Sequence, residues 1–268
     1  MTIVAAGVGC GLTAAGAVAG GADLLACYST AVYRAAGLPS SLAFLPYDDP
    51  NEIVGRALPE VVAAAKGVPV IAGVGSHDPR VQLPRLLDDL QLAGASGVTN
   101  EPFIGVYSGP LRDHLEAAGL GYDRELYLAE LASKQGMLCL GWAWDVEEAR
   151  RMAATGASHI GLMLGITRSS DDPVETAQAY TLLADMNSAV REENRDAITL
   201  IHGGLLADPV SVKDALEASG ADGYLGGSTL ETQPAVSGIS AAVQTFKEIA
   251  IDEGRCQTWL SNTRATRS

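Results

Sequence analysis

Any chemistry in this chain is expected to gather around His202. It closes the apolar run Leu200-Ile201-His202 and stands before Gly203 and Gly204. An imidazole placed so can move a proton near neutral pH or donate a hydrogen bond to a carboxylate; the alternative is a histidine satisfied by its own loop. A second run, Tyr224-Leu225, stops at Gly226-Gly227-Ser228. Paired glycines leave backbone N–H groups open to a phosphate or carboxylate, or they simply relieve crowding. Tyr28 and Asn100 are the other candidate catalytic residues. Arg34 and Arg168 offer the planar fork that suits a carboxylate or phosphate. Trp142, with Trp144 two residues on, would form an apolar wall or pack into the core. Glu101 and Glu231 are the carboxylates considered for a cation. His77, His114 and His159 are less well placed. Together these side chains suit a small anionic or polar molecule more than a metal cage.

The elements that must position them repeat as apolar run, glycine or polar end, and helical segment. Strands are predicted at Thr2–Val8, Asp23–Tyr28, Val68–Val74, Ser96–Thr99, Met137–Trp142, His159–Leu164, Ile198–His202 and Gly223–Leu225. Helical segments follow, among them Leu12–Ala19, Asn51–Ala65, Val81–Ala93, Arg124–Gln135, Val146–Ala154, Val174–Glu193, Val210–Ala218 and Ala235–Ile251. Eight such units predict a single (β/α)8 barrel over residues 1–253, with a polar tail over 254–268. In a barrel, function belongs at the C-terminal ends of the strands, just past which Tyr28, Asn100, Glu101, Trp142, Arg168, His202 and Ser228 fall, whereas His159 stands at a strand start. The connection Phe103–Asp123 is long enough to be expected to carry function. Asp49, Asp78, Asp172 and Asp208 each precede a proline and are read as helix caps.

Composition narrows the classes. The chain has 268 residues, 47% hydrophobic and 19% charged, which suits one sizeable core. Eighteen basic against 32 acidic residues leave −14, which argues against nucleic-acid or anionic-membrane partners. Cys10, Cys27, Cys139 and Cys256 are widely separated, so reduced thiols are expected. With no signal peptide or transmembrane run recognisable, a cytoplasmic location is the default. The Gly7-x-Gly9-x-Gly11 pattern lacks the remaining features of a dinucleotide fingerprint, so no nicotinamide cofactor is expected.

Several short motifs occur in a telling order: Gly7-x-Gly9-x-Gly11, Gly20-Gly21-Ala22-Asp23, Tyr28, Tyr33-Arg34, Ala72-Gly73-Val74 before Asp78-Pro79, and Gly97-Val98-x-Asn100-x-Pro102. Arg112, Leu115-Glu116-x-x-Gly119-x-Gly121-Tyr122, His202-Gly203-Gly204 and Ser228-x-x-Glu231 complete them. In these the chain resembles the phosphoenolpyruvate hydrolase-like family of TIM-barrel signal-transduction proteins, over residues 3 to 250. The resemblance implies a phosphoenolpyruvate/pyruvate-type barrel whose relatives bind small oxo-acids with Mg²⁺ and make or break C–C or C–P bonds. It also implies a homo-oligomer. Departures cluster at the active end. Met163-Leu164-Gly165-Ile166-Thr167-Arg168 stands where the family pattern has a loop histidine; Glu101 and Phe103-Ile104 depart after strand four, and Thr232-Gln233-Pro234 after Glu231. Two functions are therefore expected as alternatives. One is a hydrolase or lyase in which His202 transfers protons, Tyr28, Asn100 and Arg34 or Arg168 position the anion, and the glycine loops hold a phosphate or carboxylate. The other is a non-catalytic small-molecule-binding or regulatory protein on the same barrel.

Overall fold

The computed structural model describes residues 2–168 and 172–249; Ser169, Ser170, Asp171, Cys256 and the expected tail lie outside them. Eight parallel strands close into a barrel in chain order: β1 (Ile3–Gly7), β2 (Leu24–Cys27), β3 (Val70–Gly73), β4 (Gly97–Thr99), β5 (Leu138–Ala143), β6 (His159–Met163), β7 (Ile198–His202) and β8 (Gly223–Gly226). Closure comes from β1 pairing with β8, Val4 opposite Tyr224. The eight predicted strands and their order are all present.

The helices are α1 (Gly11–Ala19), α2 (Ser29–Ala35), α3 (Pro50–Ala64), α4 (Leu83–Leu92), α5 (Gly109–Ala117), α6 (Tyr122–Lys134), α7 (Val146–Ala154), α8 (Pro173–Glu193), α9 (Pro209–Ser219) and α10 (Thr232–Lys247). Alternation along each strand sends one set of side chains outward into the layer shared with the helices, where Leu58, Leu87, Leu128, Met152 and Met186 are buried. The other set fills the barrel: Ala5, Leu24, Ala26, Ile71, Leu140, Leu200 and Leu225. On top of that plug sit Tyr28, Phe103, Trp142 and Met163, so the lumen is solid below and the functional residues stand on an apolar floor.

Three of the four Asp-Pro pairs cap helices. Asp49 accepts from the Asn51 and Glu52 amides, Asp172 from Val174, and Asp208 from Val210 and Ser211. Asp78 is the exception, because α4 starts later, after Gln82. Its carboxylate instead closes a turn on the Arg80 amide and guanidinium.

The long connection is more ordered than its sequence suggested. It holds a 3₁₀ turn at Ile104–Val106 and the helix α5. No α5 residue is buried, so hydrophobic periodicity had little to report. The segment is fixed by polar ties: Arg112 bonds Glu116 and Glu148, and the Ile104 amide donates to Glu125 Oε1 at 2.7 Å.

The chain divides into two units, Met1–Thr232, which contains every strand, and Gln233–Ser268. In the second unit the described helix α10 exposes Val236, Ile239, Val243 and Phe246. The expected boundary at 253 lies outside the described residues.

Candidate active site

The C-terminal ends of the strands enclose a cavity of about 330 Å³. Its walls come from β2 and α2 (Tyr28, Thr30, Arg34), the loop after β4 (Glu101, Phe103), β5 (Trp142, Trp144) and the ends of β6, β7 and β8 (Met163, His202, Gly227, Ser228). Phe44, from the 3₁₀ turn Ser40–Phe44, covers one side. The register places Met163 beside His202 on adjacent strands, so the residue at the departed loop position lies next to the expected base.

His202 is held in one tautomer. Its Nδ1 lies 2.7 Å from the Leu225 carbonyl, and since a carbonyl only accepts, Nδ1 must carry the proton and Nε2 is left as an acceptor. Burial, and then the nearby Arg34 charge, bring its pKa down to about 4 despite that bond. The imidazole is therefore neutral at pH 7.

Glu101 is perturbed in the opposite direction. The carboxyl is 3% exposed. Burial pushes its pKa up to about 8, with Arg34 and Ser29 opposing the shift. Oε2 accepts from Ser29 Oγ at 3.3 Å, whereas Oε1 has no partner. At pH 7 the cavity thus contains a carboxylic acid that keeps its proton and a histidine that lacks one. Surroundings that drive the pKa values of neighbouring titratable groups apart in this way commonly assign acid and base roles.

Arg34 supplies the cationic end. Its Nε donates to Glu231 Oε2 at 3.0 Å, and Glu231 Oε1 accepts from the Gly9 amide at 2.8 Å. Gly9 is needed here, since a Cβ would stand 2.1 Å from the Ala31 carbonyl oxygen. The ion pair is nearly buried on both sides. Nη1 reaches Ser40 Oγ at 3.4 Å, and the Tyr28 side chain lies against the guanidinium, its ring centroid 5.7 Å from the guanidinium carbon and its hydroxyl interacting with the charge, while Nη2 has no well-aligned acceptor. Burial opposes the Arg34 charge, and Tyr28 and Glu231 more than offset it. The Tyr28 hydroxyl is itself raised to about 12, chiefly by burial, and stays neutral.

Asn100 does not line the cavity. Its Oδ1 accepts from the Trp142 amide at 2.7 Å and its Nδ2 donates to Glu125 Oε2. It ties β4 to β5 and α6, and so holds Trp142 in place, where sequence reasoning gave it to the substrate. Its partner Glu125 went unnoticed, yet the signal was present: Tyr122, Glu125, Leu128, Ala129 and Ala132 form one buried helical stripe with a carboxyl in it. Burial raises that carboxyl to about 8.

The tryptophans do form a wall, and it extends further than expected. Phe103 lies 5.3 Å from Phe44, 6.1 Å from Trp142 and 5.3 Å from Trp144 between ring centroids, and Trp142 lies 5.2 Å from His202. Both indole N–H groups are buried without partners, as is Thr30 Oγ1.

Arg168 is not part of this cavity; it is exposed and pairs with Glu175. Gly227 and Ser228 line the cavity, while Gly203, Gly204 and Gly226 do not. The Gly204 amide is spent on the Gly165 carbonyl at 3.0 Å, so it cannot cradle an anion. Gly203, at φ 75°, carries the chain past that same carbonyl, which a Cβ would approach to 2.0 Å. His77, His114 and His159 lie outside the cavity lining.

The donor set does not fit a protein-held Mg²⁺. Among the described residues there is no group of three His, Cys, Asp or Glu able to hold a metal. Both Glu231 oxygens are engaged, and Glu101 has one oxygen on Ser29 Oγ and lies near the Arg34 charge. Mg²⁺ usually takes one or two carboxylates with oxygens to spare, which these two side chains do not present together.

Residues 1–249 match the phosphoenolpyruvate hydrolase-like family. Among curated proteins, the ToMV susceptible protein tm-1(GCR26) of Solanum lycopersicum is 34% identical over 255 residues, 93% of this chain and 34% of that protein. The ToMV resistance protein Tm-1(GCR237) of the same plant matches over the same span at the same identity. The chain thus spans about a third of the length of these relatives. Solved structures agree on the fold. Phosphoenolpyruvate phosphomutase from Streptomyces platensis subsp. rosaceus superposes with a TM-score of 0.60 at 17% identity, over 93% of this chain and 83% of that one. Oxaloacetate acetylhydrolase gives 0.62 at 14% identity, over 100% and 94%.

Proposed function

The chain belongs to the phosphoenolpyruvate hydrolase-like family, and on that premise we propose that it is a hydrolase or lyase that breaks a C–C or C–P bond in a small carboxylated substrate, with Glu101 as proton donor and His202 as proton acceptor. The observation that carries this reading is the opposed pair, a buried Glu101 whose pKa is raised and a buried His202 whose pKa is lowered, lining one cavity with the Arg34 guanidinium. The fold neighbours named phosphoenolpyruvate phosphomutase, 2,3-dimethylmalate lyase and oxaloacetate acetylhydrolase support the reaction class.

Arg34 Nη2 takes the substrate carboxylate. In a C–C hydrolysis His202 Nε2 accepts the proton of the water that attacks the carbonyl; the bond breaks, and the departing carbon takes the Glu101 proton. In a C–C lyase reaction the proton accepted comes from the substrate hydroxyl instead. Either way one proton enters the imidazole and one leaves the carboxyl, and proton exchange between them resets the site.

The test is turnover of phosphoenolpyruvate, oxaloacetate and substituted 2-oxo- and 2-hydroxy-acids, followed by proton NMR. A turned-over acid should lose at least about 100-fold in rate with His202→Asn, because general acid–base groups contribute on that order. Unchanged turnover in that variant removes His202 from the mechanism, and binding of an acid without consumption favours the regulatory alternative. The same reading includes a homo-oligomer, supported by the apolar stripe on α10 and checked by light scattering against the mass of one chain.

A further inference from the structure

The cavity offers more apolar surface and more unsatisfied polar atoms than a three- or four-carbon acid would use. Its volume of about 330 Å³ lies at the lower end of the roughly 300–1,000 Å³ typical of pockets that enclose larger organic ligands. A compact acid seated on Arg34 displaces about four waters, ~120 Å³ at ~30 Å³ each, and leaves much of the space wet.

Several of the residues that line the cavity carry polar atoms without partners. Arg34 Nη2, Glu101 Oε1, Thr30 Oγ1 and Trp142 Nε1 are each buried and unpaired. A buried donor or acceptor left unmatched costs about 1–3 kcal/mol, and a buried indole N–H normally finds an acceptor. The benzo edge of Trp142 lies over Gly161, where a Cβ would meet Cε3 at 2.2 Å, so its N–H edge is turned away from β6. Beyond these atoms the wall is aromatic, with Phe103 in contact with Phe44, Trp142 and Trp144.

Resting on the reading that the site acts on a carboxylate, we infer that its substrates are aryl-substituted 2-oxo- or 2-hydroxy-carboxylic acids. The carboxylate lies on Arg34 Nη2, the 2-oxygen among Trp142 Nε1, Thr30 Oγ1 and Glu101, and the ring lies against Phe44, Phe103 and Trp144. Neither end alone accounts for the cavity. The guanidinium edge demands an anion, and the ring wall demands an apolar plane that offset or edge-on stacking can cover.

The test compares pyruvate with phenylpyruvate, which differ by the ring alone, and both with phenylacetamide, which keeps the ring without the charge. Binding is read by calorimetry on the full chain and by quenching of tryptophan fluorescence. Phenylpyruvate should bind at least about tenfold more tightly than pyruvate, and Phe44→Ala, at a half-buried position of the 3₁₀ turn, should reduce that preference several-fold. Pyruvate binding as tightly as phenylpyruvate overturns the aryl preference and leaves the smaller-acid reading standing. Phenylacetamide binding as tightly as phenylpyruvate, or no acid binding at all, overturns both. Tight binding of phenylpyruvate with no consumption of any aryl oxo- or hydroxy-acid overturns the claim about substrates.

Discussion

Replacing Glu101 by Gln should stabilise this protein, and by an amount that grows with pH. The side chain is 3% exposed and burial lifts its pKa from the ordinary 4.5 to about 8. At 1.36 kcal/mol per unit, the difference between folded and unfolded states amounts to roughly 5 kcal/mol. The sign follows from proton binding. Between 4.5 and about 8 the folded chain holds a proton on Glu101 that the unfolded chain has released, so each rise in pH in that window favours unfolding. Glutamine keeps the shape and never ionises. Its advantage over the native chain should be near zero at pH 4.5, should climb by about 1.4 kcal/mol per pH unit, and should level off above pH 8. Glu125 is raised to a similar degree, but its contribution is common to both proteins and cancels in the comparison. Urea unfolding of the two proteins at pH 5, 7 and 9 reads this directly. A difference that stays flat from pH 5 to 9, or falls, refutes the claim that Glu101 is a buried acid, and with it the assignment of Glu101 as proton donor. The same substitution should abolish turnover, so stability and activity are expected to move in opposite directions.

Three further outcomes follow from the same geometry. The pH profile of kcat/KM should be a bell, rising as His202 loses its proton near pH 4 and falling as Glu101 ionises near pH 8; a rising limb at the ordinary histidine pKa of 6.5 would exclude this pairing. Asn100→Ala leaves the Trp142 amide and Glu125 Oε2 unmatched and should cost roughly 1–3 kcal/mol for each, measured as a lower urea midpoint. Arg168→Ala removes an exposed guanidinium outside the main cavity and should change KM by less than about twofold, since exposed ion pairs contribute on the order of 0–1 kcal/mol; a tenfold rise would return Arg168 to the anion site.

The barrel was legible because each strand is a run of apolar residues bounded by glycine or a polar end, and such runs report burial directly. His202 was legible for the same reason: it ends one of them, and ends of barrel strands face the cavity. Residues whose roles depend on a partner far along the chain were not. Asn100 looks like a substrate ligand until Glu125, beyond α5 on α6, is seen to take its amide. Asp78 looks like its three capping counterparts until the start of α4 is known. Glu101 keeps its proton because the fold buries it, against the opposing charge of Arg34 arriving from α2, a circumstance no local spacing encodes. Phe44 and Phe103 come from separate loops with no strand periodicity of their own.

The departures from the family pattern make physical sense together. Met163 stands beside His202 in the strand register, where a second imidazole would add a titrating group. A thioether adds none. It leaves His202 as the one imidazole in the cavity lining among the described residues, and it preserves the dry surroundings that hold His202 neutral. On the proposed reading, Glu101 in the loop after β4 then takes the part of proton donor that a charged histidine would otherwise have had. The aromatic wall excludes water from both groups and thereby keeps their pKa values apart. Acid, base and apolar wall are accordingly one device: shrinking Phe103 or Trp144 should draw both pKa values back toward 4.5 and 6.5 and narrow the pH window in which the site can work.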